Sequence, residues 1–230
     1  MKLRRLLPAA LLVLTVGCQT NALRPEKYEP EPQIDRGRAE AMAKAGVLTP
    51  NDLKGWQTSK PEPDSPDANK AAQEIFRCMG RTELPIYAAE REAYFRKGTV
   101  DLSSYATVSQ TQRQAENEVA DNRNPALGPC LDKAFRESIP LPKGVTMSPI
   151  KMRPLRVAVR GTETYGMTLT ITIKGPAKTA TLTIVRVGGR VGNAILEVEA
   201  MTQGGAPPDT GALTRLLSTA VARVRAVDAK

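Results

Sequence analysis

Histidine is absent from all 230 residues. That excludes Ser-His-Asp and Cys-His catalysis, imidazole metal sites and pH sensing by histidine. An enzyme built on this chain would have to use carboxylates, lysine, serine or tyrosine. No catalytic set, metal ligand set or cofactor motif is visible, and none is expected. Aromatic residues are also few: 3 Phe and 1 Trp leave little to line the large dry cavity that a carrier of an apolar envelope lipid needs. The formal charge is +9, yet a long basic tract is missing, so nucleic acid is not expected as a partner. Apolar runs of membrane-spanning length are lacking too. The longest, around Leu11-Leu12-Val13-Leu14-Thr15-Val16, is about a dozen residues, against the roughly 20 that a helix needs to cross a bilayer.

That short run has another use. It follows the cationic start Met1-Lys2-Leu3-Arg4-Arg5 and ends on Gly17-Cys18, the layout of an export signal. Its end resembles the lipobox of bacterial lipoproteins, with Thr15 at the place where leucine is favoured and Leu14 one step further back. The resemblance implies a diacylglyceryl group on Cys18, removal of residues 1–17, and a location outside the cytoplasm on the cell membrane. Two acyl chains anchor stably where one binds only marginally. Losing Lys2, Arg4 and Arg5 lowers the formal charge from +9 to +6. An anionic wall polymer, a lipid or an envelope protein is then the further partner to expect. In an oxidising compartment Cys78 and Cys130 are the remaining pair and are expected to form a disulfide worth about 4 kcal/mol.

Residues 18–38 read as a tether, with Pro25, Pro30 and Pro32 among charged residues and no apolar period. Near its end Asp35 suits an N-cap for a first helix with Ala39, Met42, Ala43 and Val47 on one face. A single α+β domain over 39–230 is expected to follow. Trp56 reads as a core or lid anchor rather than a ligand platform. After a proline-rich break, Ser65 as N-cap and Pro66 at the first position open a second helix ending near Gly80, with Cys78 on its last turn. A strand at Ser104–Ser109, a helix from Gln112 to Ala120, and a helix carrying Cys130, Leu131, Ala134 and Phe135 come next. Both cysteines fall on apolar helix faces, which predicts a buried bridge.

Past Pro142 the apolar period changes from helical to two. Strands are expected at Leu155–Arg160, Met167–Lys174, Thr179–Val187 and Val191–Ala200, with turns at Gly175-Pro176 and Gly188-Gly189. The face switch at Val185 and Val187 predicts a bulge or a strand covered on both faces. Asp209 caps a last helix with Leu213, Leu216, Leu217, Ala220, Val221 and Val224 in one stripe, which must cover the sheet. Helices first, then an antiparallel meander with a closing helix, give an α+β layered domain.

Glu116 and Glu118, two apart on a helix, diverge, whereas Glu197 and Glu199, two apart on a strand, share a face. A solvated strand face is the plainer reading of the second pair. Gly188 to Gly192 lies between strands and does not open a helix, so it fails as a phosphate loop. Arg153, Arg156, Arg160, Lys174, Lys178, Arg186 and Arg190 stand against Glu163 as the lone acid between residues 150 and 190. They form a candidate basic surface for an anionic partner. The threonines at 168, 170, 172, 181 and 183 are good strand formers and need no further role.

Leu48-Thr49-Pro50-Asn51-Asp52-Leu53-Lys54-Gly55-Trp56, the pair Cys78 and Cys130, and Ile184-Val185-Arg186-Val187-Gly188 before a last helix resemble the actinobacterial extracellular sensor domain. That domain occurs on certain Ser/Thr kinases and as free-standing lipoproteins, and is similar to the PsbP-like α/β sandwich. Lys54 departs from the usual proline, and one cysteine pair stands where the kinase-borne members have two. The resemblance implies a noncatalytic, ligand-sensing or binding module of the cell envelope. The alternatives are a carrier of an apolar envelope lipid and a carboxylate- or serine-based envelope hydrolase.

Overall fold

The computed structural model describes residues 31–60, 66–81, 85–138, 141–204 and 206–229. Cys18, the export signal, most of the tether and the capping residue Ser65 lie outside them. Among the described residues are five helices, α1 (Arg36–Gly46), α2 (Pro66–Cys78), α3 (Gln112–Asn122), α4 (Leu127–Ser138) and α5 (Thr210–Asp228). There are eight strands: β1 (Gln57–Ser59), β2 (Tyr87–Lys97), β3 (Val100–Ser109), β4 (Thr146–Met147), β5 (Lys151–Pro154), β6 (Glu163–Lys174), β7 (Thr179–Val191) and β8 (Ala194–Gln203). The class is α+β, with one antiparallel sheet in the order β1-β2-β3-β8-β7-β6-β4 and β5 beside β6.

Strand alternation divides the core between the two faces of this sheet. On one face, Leu102, Ala106, Val185, Val187, Leu196 and Val198 meet Ala39, Met42 and Ala43 of α1 and the stripe Leu213, Leu217, Ala220, Val221 and Val224 of α5. On the other, Met167, Leu169, Ile171, Ile184 and Ile195 meet Ile75 of α2, Ala115 and Val119 of α3, and Leu127, Leu131, Ala134 and Phe135 of α4. Trp56 packs, partly buried, against the first cluster. Leu217 is fully enclosed at the centre of the α5 stripe. Leu217→Ala is expected to cost about 2–5 kcal/mol, read as a lower urea midpoint with an unchanged slope.

The caps follow their chemistry. The Asp35 carboxylate accepts from the Arg38 amide at 2.9 Å, Thr111 from Gln114 at 3.2 Å and Asp209 from Gly211 at 2.8 Å, each satisfying an amide the first turn leaves open. Because α1 starts at Arg36, residues 36–38 belong to a helix and not to an extended segment. The Ile34 amide already donates to Gln110 O at 2.9 Å, and Glu31 accepts from the Arg113 amide at 3.1 Å. These bonds tie the chain to the β3–α3 connection.

Two expectations about the meander are corrected. Gly188 and Gly189 are interior to β7, and the turn lies at Gly192-Asn193, where Gly192 adopts φ +55°. The face switch at Val185 reflects a strand buried on both faces, with register kept from Thr179 to Val191. The alternation at Leu155–Val159 does not form a strand. The paired segment is Lys151–Pro154, after which the chain runs beside β6 with only the Leu155 amide bonded to Gly166 O, at 2.8 Å, and the Thr164 hydroxyl to Val157 O, at 2.6 Å.

Candidate functional site

Register places Tyr165 of β6, Gly188 of β7, Glu197 of β8 and Tyr105 of β3 in one cross-strand row. The neighbouring row is Met167, Arg186, Glu199 and Ser103. All eight project from the face that carries α3. A Cβ on Gly188 would stand 2.3 Å from Tyr165 Cζ. Only glycine therefore lets the phenol ring lie across β7 and reach β8. There the Tyr165 hydroxyl donates to Glu197 Oε1 at 2.5 Å. Arg186 donates to Glu199 Oε2 from Nε at 2.9 Å and from Nη2 at 2.6 Å, and its Nη1 stands 3.8 Å from Glu197 Oε1. From above, α3 adds Glu118, whose Oε1 accepts from the Tyr87 hydroxyl at 3.3 Å. Arg186 and Glu197 are each 1% exposed and Glu118 is 0% exposed.

Two carboxyl groups thus share one guanidinium out of water, and a third, Glu118, acts on Glu197 without a cation of its own. Burial lowers the proton affinity of Arg186, but Glu197 and Glu199 more than offset it and hold the guanidinium charged. Burial lifts Glu197, and Arg186 with the Tyr165 hydroxyl pulls it back only in part. Glu118 lies well above the ordinary 4.5, through burial first and then the Glu197 charge, against the bond from Tyr87. Desolvation without a cation of its own favours the neutral acid. Toward β2 the row continues into a half-open wall. The Tyr94 and Tyr105 rings meet edge to face at 6.0 Å, and the Tyr94 hydroxyl donates to the exposed Glu92 at 2.8 Å.

Folding therefore retains a proton on Glu118 that the unfolded chain gives up near pH 4.5. Stability from that proton is complete below the unfolded value and is lost as pH rises through the folded one. Asp52 acts in the opposite sense: burial would lift it, but the Thr49 amide and Arg223 outweigh burial and hold it below 3.8. Its contribution is present above that value and lost only in acid. The urea midpoint is expected to fall from about pH 5 upward in the natural chain and to be flatter in Glu118→Gln.

Gly188→Ala is expected to displace the Tyr165 ring and cost roughly 1–3 kcal/mol by overpacking, measured by urea unfolding. Tyr165→Phe in the same background should then add less than it does alone, because the ring no longer reaches Glu197.

The structure divides the expected basic surface. Arg186 is buried in the cluster, since β7 is covered on both faces. The Arg190 side chain is 14% exposed and pairs with Glu163 at 2.7 Å and Glu116 at 3.4 Å. Arg153, Arg156, Arg160, Lys174 and Lys178 are exposed but strung along the β5–β6 edge. Arg160 lies before the start of β6 and Lys174 at its end, 12 strand residues on, which is about 40 Å of strand. The solvated face expected for Glu197 and Glu199 is overturned as well: β8 is an inner strand between β3 and β7, and α3 lies over it. Glu118 was legible only as i+3 from Ala115 and i−1 from Val119, the spacing of a buried face. Tyr165 gave no signal of its own.

Cys78 and Cys130 form a disulfide with Cα atoms 5.5 Å apart. Cys130 is buried, but Cys78 is exposed, which corrects the expectation of a fully buried bridge: in the last turn of α2, Ile75 and Phe76 face the core while Arg77 and Cys78 face outward.

No protein-family model matches the chain, and no curated protein does. Among solved structures it is similar to the extracellular domain of PknH from Mycobacterium tuberculosis, at 13% sequence identity and a TM-score of 0.40, over 86% of this chain and 100% of that one.

Proposed function

We propose that this chain is a lipid-anchored, noncatalytic binding or sensor module on the extracytoplasmic side of a bacterial membrane. The anchor is read from Gly17-Cys18 behind an export signal. The binding role rests on one observation: beneath α3 a largely apolar sheet buries Arg186, Glu197, Glu199 and Tyr165, and α3 buries Glu118 against them. Burying such groups costs free energy that apolar residues of the same size would not, so stability alone does not account for them. The experiment is to isolate the intact lipoprotein from its envelope and weigh it under native conditions. A retained small molecule lost on denaturation is expected, and a bare polypeptide mass overturns the reading. Cys18→Ala should abolish partition into detergent while the domain folds, and a variant still entering the detergent phase overturns the anchor.

A second reading, a carboxylate-based envelope hydrolase, draws on the electrostatic contact between Glu118 and Glu197. A general acid must reach its substrate, and both carboxyls are sealed from solvent. The hydrolase reading predicts cleavage of wall fragments that Glu118→Gln stops, and the binding reading predicts no cleavage.

A further inference from the structure

Buried polar atoms normally find partners, and each exception asks for an explanation. Three exceptions meet beneath α3: Glu118 Oε2 on the helix, Glu197 Oε2 on β8 and Thr107 Oγ1 on β3. None of the three residues is more than 5% exposed. Thr107 and Glu197 project by strand alternation toward α3, and Glu118 faces them from above. Once Glu118 gives up the proton it holds, all three can accept: two are carboxylate oxygens and the third is a hydroxyl. The acids also outnumber the cation, with Glu197 and Glu199 on Arg186 and Glu118 acting on Glu197. Tyr87, Tyr105 and Tyr165 stand at the same place, and aromatic faces attract cations.

The cover is weakly held. Of the residues α3 buries, Ala115 and Val119 are apolar, while Glu118, Asp121 and Asn122 are polar. Its other ties are polar: to Arg190 from Glu116, to Arg81 from Asp121, to Glu31 from the Arg113 amide, to Ile86 O from Gln114 at 3.3 Å, to Tyr87 from Glu118, and from Arg123 to Thr164 O at 2.6 Å. Elements with few apolar contacts open at low free-energy cost.

Resting on the binding reading above, we propose that the interface between α3 and the row Tyr165, Gly188, Glu197 and Tyr105 takes a small organic ammonium ion, with Glu118, Glu197 and Thr107 accepting its N–H groups and α3 lifting to admit it. A primary ammonium has three donors and no acceptor, which matches the three acceptors that remain when Glu118 is deprotonated. Among the described residues no group of three acidic or cysteine side chains is arranged to hold a metal ion. The ion takes the place of the proton that Glu118 holds in the free protein. Binding therefore releases a proton and tightens as pH rises. The groups that act on Glu118 are Tyr87 of β2, Tyr165 of β6 and Glu197 of β8, and on the same sheet face Tyr105 of β3, Arg186 of β7 and Glu199 of β8 stand around Glu197. Glu116 and Asp121 lie on its own helix, with Arg190 and Arg81 as their partners.

The test is calorimetric titration of the full chain with methylammonium and with 1,4-diaminobutane, in two buffers of different ionisation enthalpy. Tetramethylammonium, equal in charge but without N–H, is the control. The expected result is binding of the primary amines with release of about one proton, an affinity that rises up to about tenfold per pH unit while Glu118 is protonated, and no binding of the control. Glu118→Gln and Thr107→Val, checked for native far-UV spectra, should each weaken binding by at least about tenfold. Absence of amine binding by the folded chain, equal binding of tetramethylammonium, or binding without proton release overturns the site. An envelope ligand retained with full affinity by Glu118→Gln overturns this site and leaves the binding reading standing. Methylammonium binding by a chain that retains no envelope ligand does the reverse.

Discussion

Arg186→Met is expected to remove about 3–5 kcal/mol of stability, because it leaves Glu197 and Glu199 buried with no cation. Against the 5–15 kcal/mol typical of a whole domain, that is enough to leave a substantial fraction unfolded at physiological temperature. The loss should be partly recovered in acid, where the stranded carboxyls take up protons, and urea midpoints at several pH values will read this directly. The control carries the argument. Arg186→Met combined with Glu197→Gln and Glu199→Gln removes charge of both signs and should lie much closer to the natural chain, since replacing a buried ionic group as a whole is often neutral. If the triple variant is as unstable as the single one, packing of the arginine stem governs the site, and the electrostatic account fails.

The second large effect belongs to the disulfide. Its sequence separation is 52 residues, and closing such a loop removes denatured-state entropy worth about 4 kcal/mol on the chain-entropy model. Exposure of Cys78 adds a kinetic expectation: reductant reaches the bridge in the native protein without prior unfolding. Mild reduction should therefore lower the melting temperature by several degrees while leaving the far-UV spectrum of the folded state intact. Cys130→Ala with Cys78→Ala adds a small cavity cost, mainly on the side of the buried Cys130. Thiol counting on the denatured, unreduced chain is expected to find neither cysteine free, and two free thiols would remove the bridge from the account.

Legibility of the fold followed from how local each signal was. The α5 stripe from Leu213 to Val224 and the alternation Met167, Leu169, Ile171, Ile173 state their period within a few turns or a few residues, and both elements form where the pattern puts them. β2 gave no comparable signal. Tyr87-Ala-Ala-Glu-Arg-Glu-Ala-Tyr-Phe-Arg-Lys is rich in helix-favouring alanine, glutamate and arginine, yet it lies between β1 and β3 and takes its conformation from those neighbours. The same distinction governs the site. That Glu197 and Glu199 share a face follows from a spacing of two. Whether that face meets water depends on the pairing of β3 with β8, about ninety residues apart, and on α3 crossing above. No local pattern carries either fact. Arg186 is the clearest case, since in sequence it is one more cation in a basic stretch, and only the double covering of β7 makes it the counter-ion of a sealed acidic group.

The order of strands has a consequence for how the molecule is made. β3 lies in the middle of the sheet, yet its inner neighbour β8 is the last strand of the chain. A chain delivered N-terminus first therefore presents the β2–β3 hairpin long before anything can pair with its inner side. Through that interval β3 offers bare amides and carbonyls to any passing strand. Assembly is governed by a contact of high sequence separation, which slows folding, and an unfinished sheet of this kind is prone to stick to its neighbours. The vulnerable period ends only when residues 194–203 are made and slot between two hairpins already waiting.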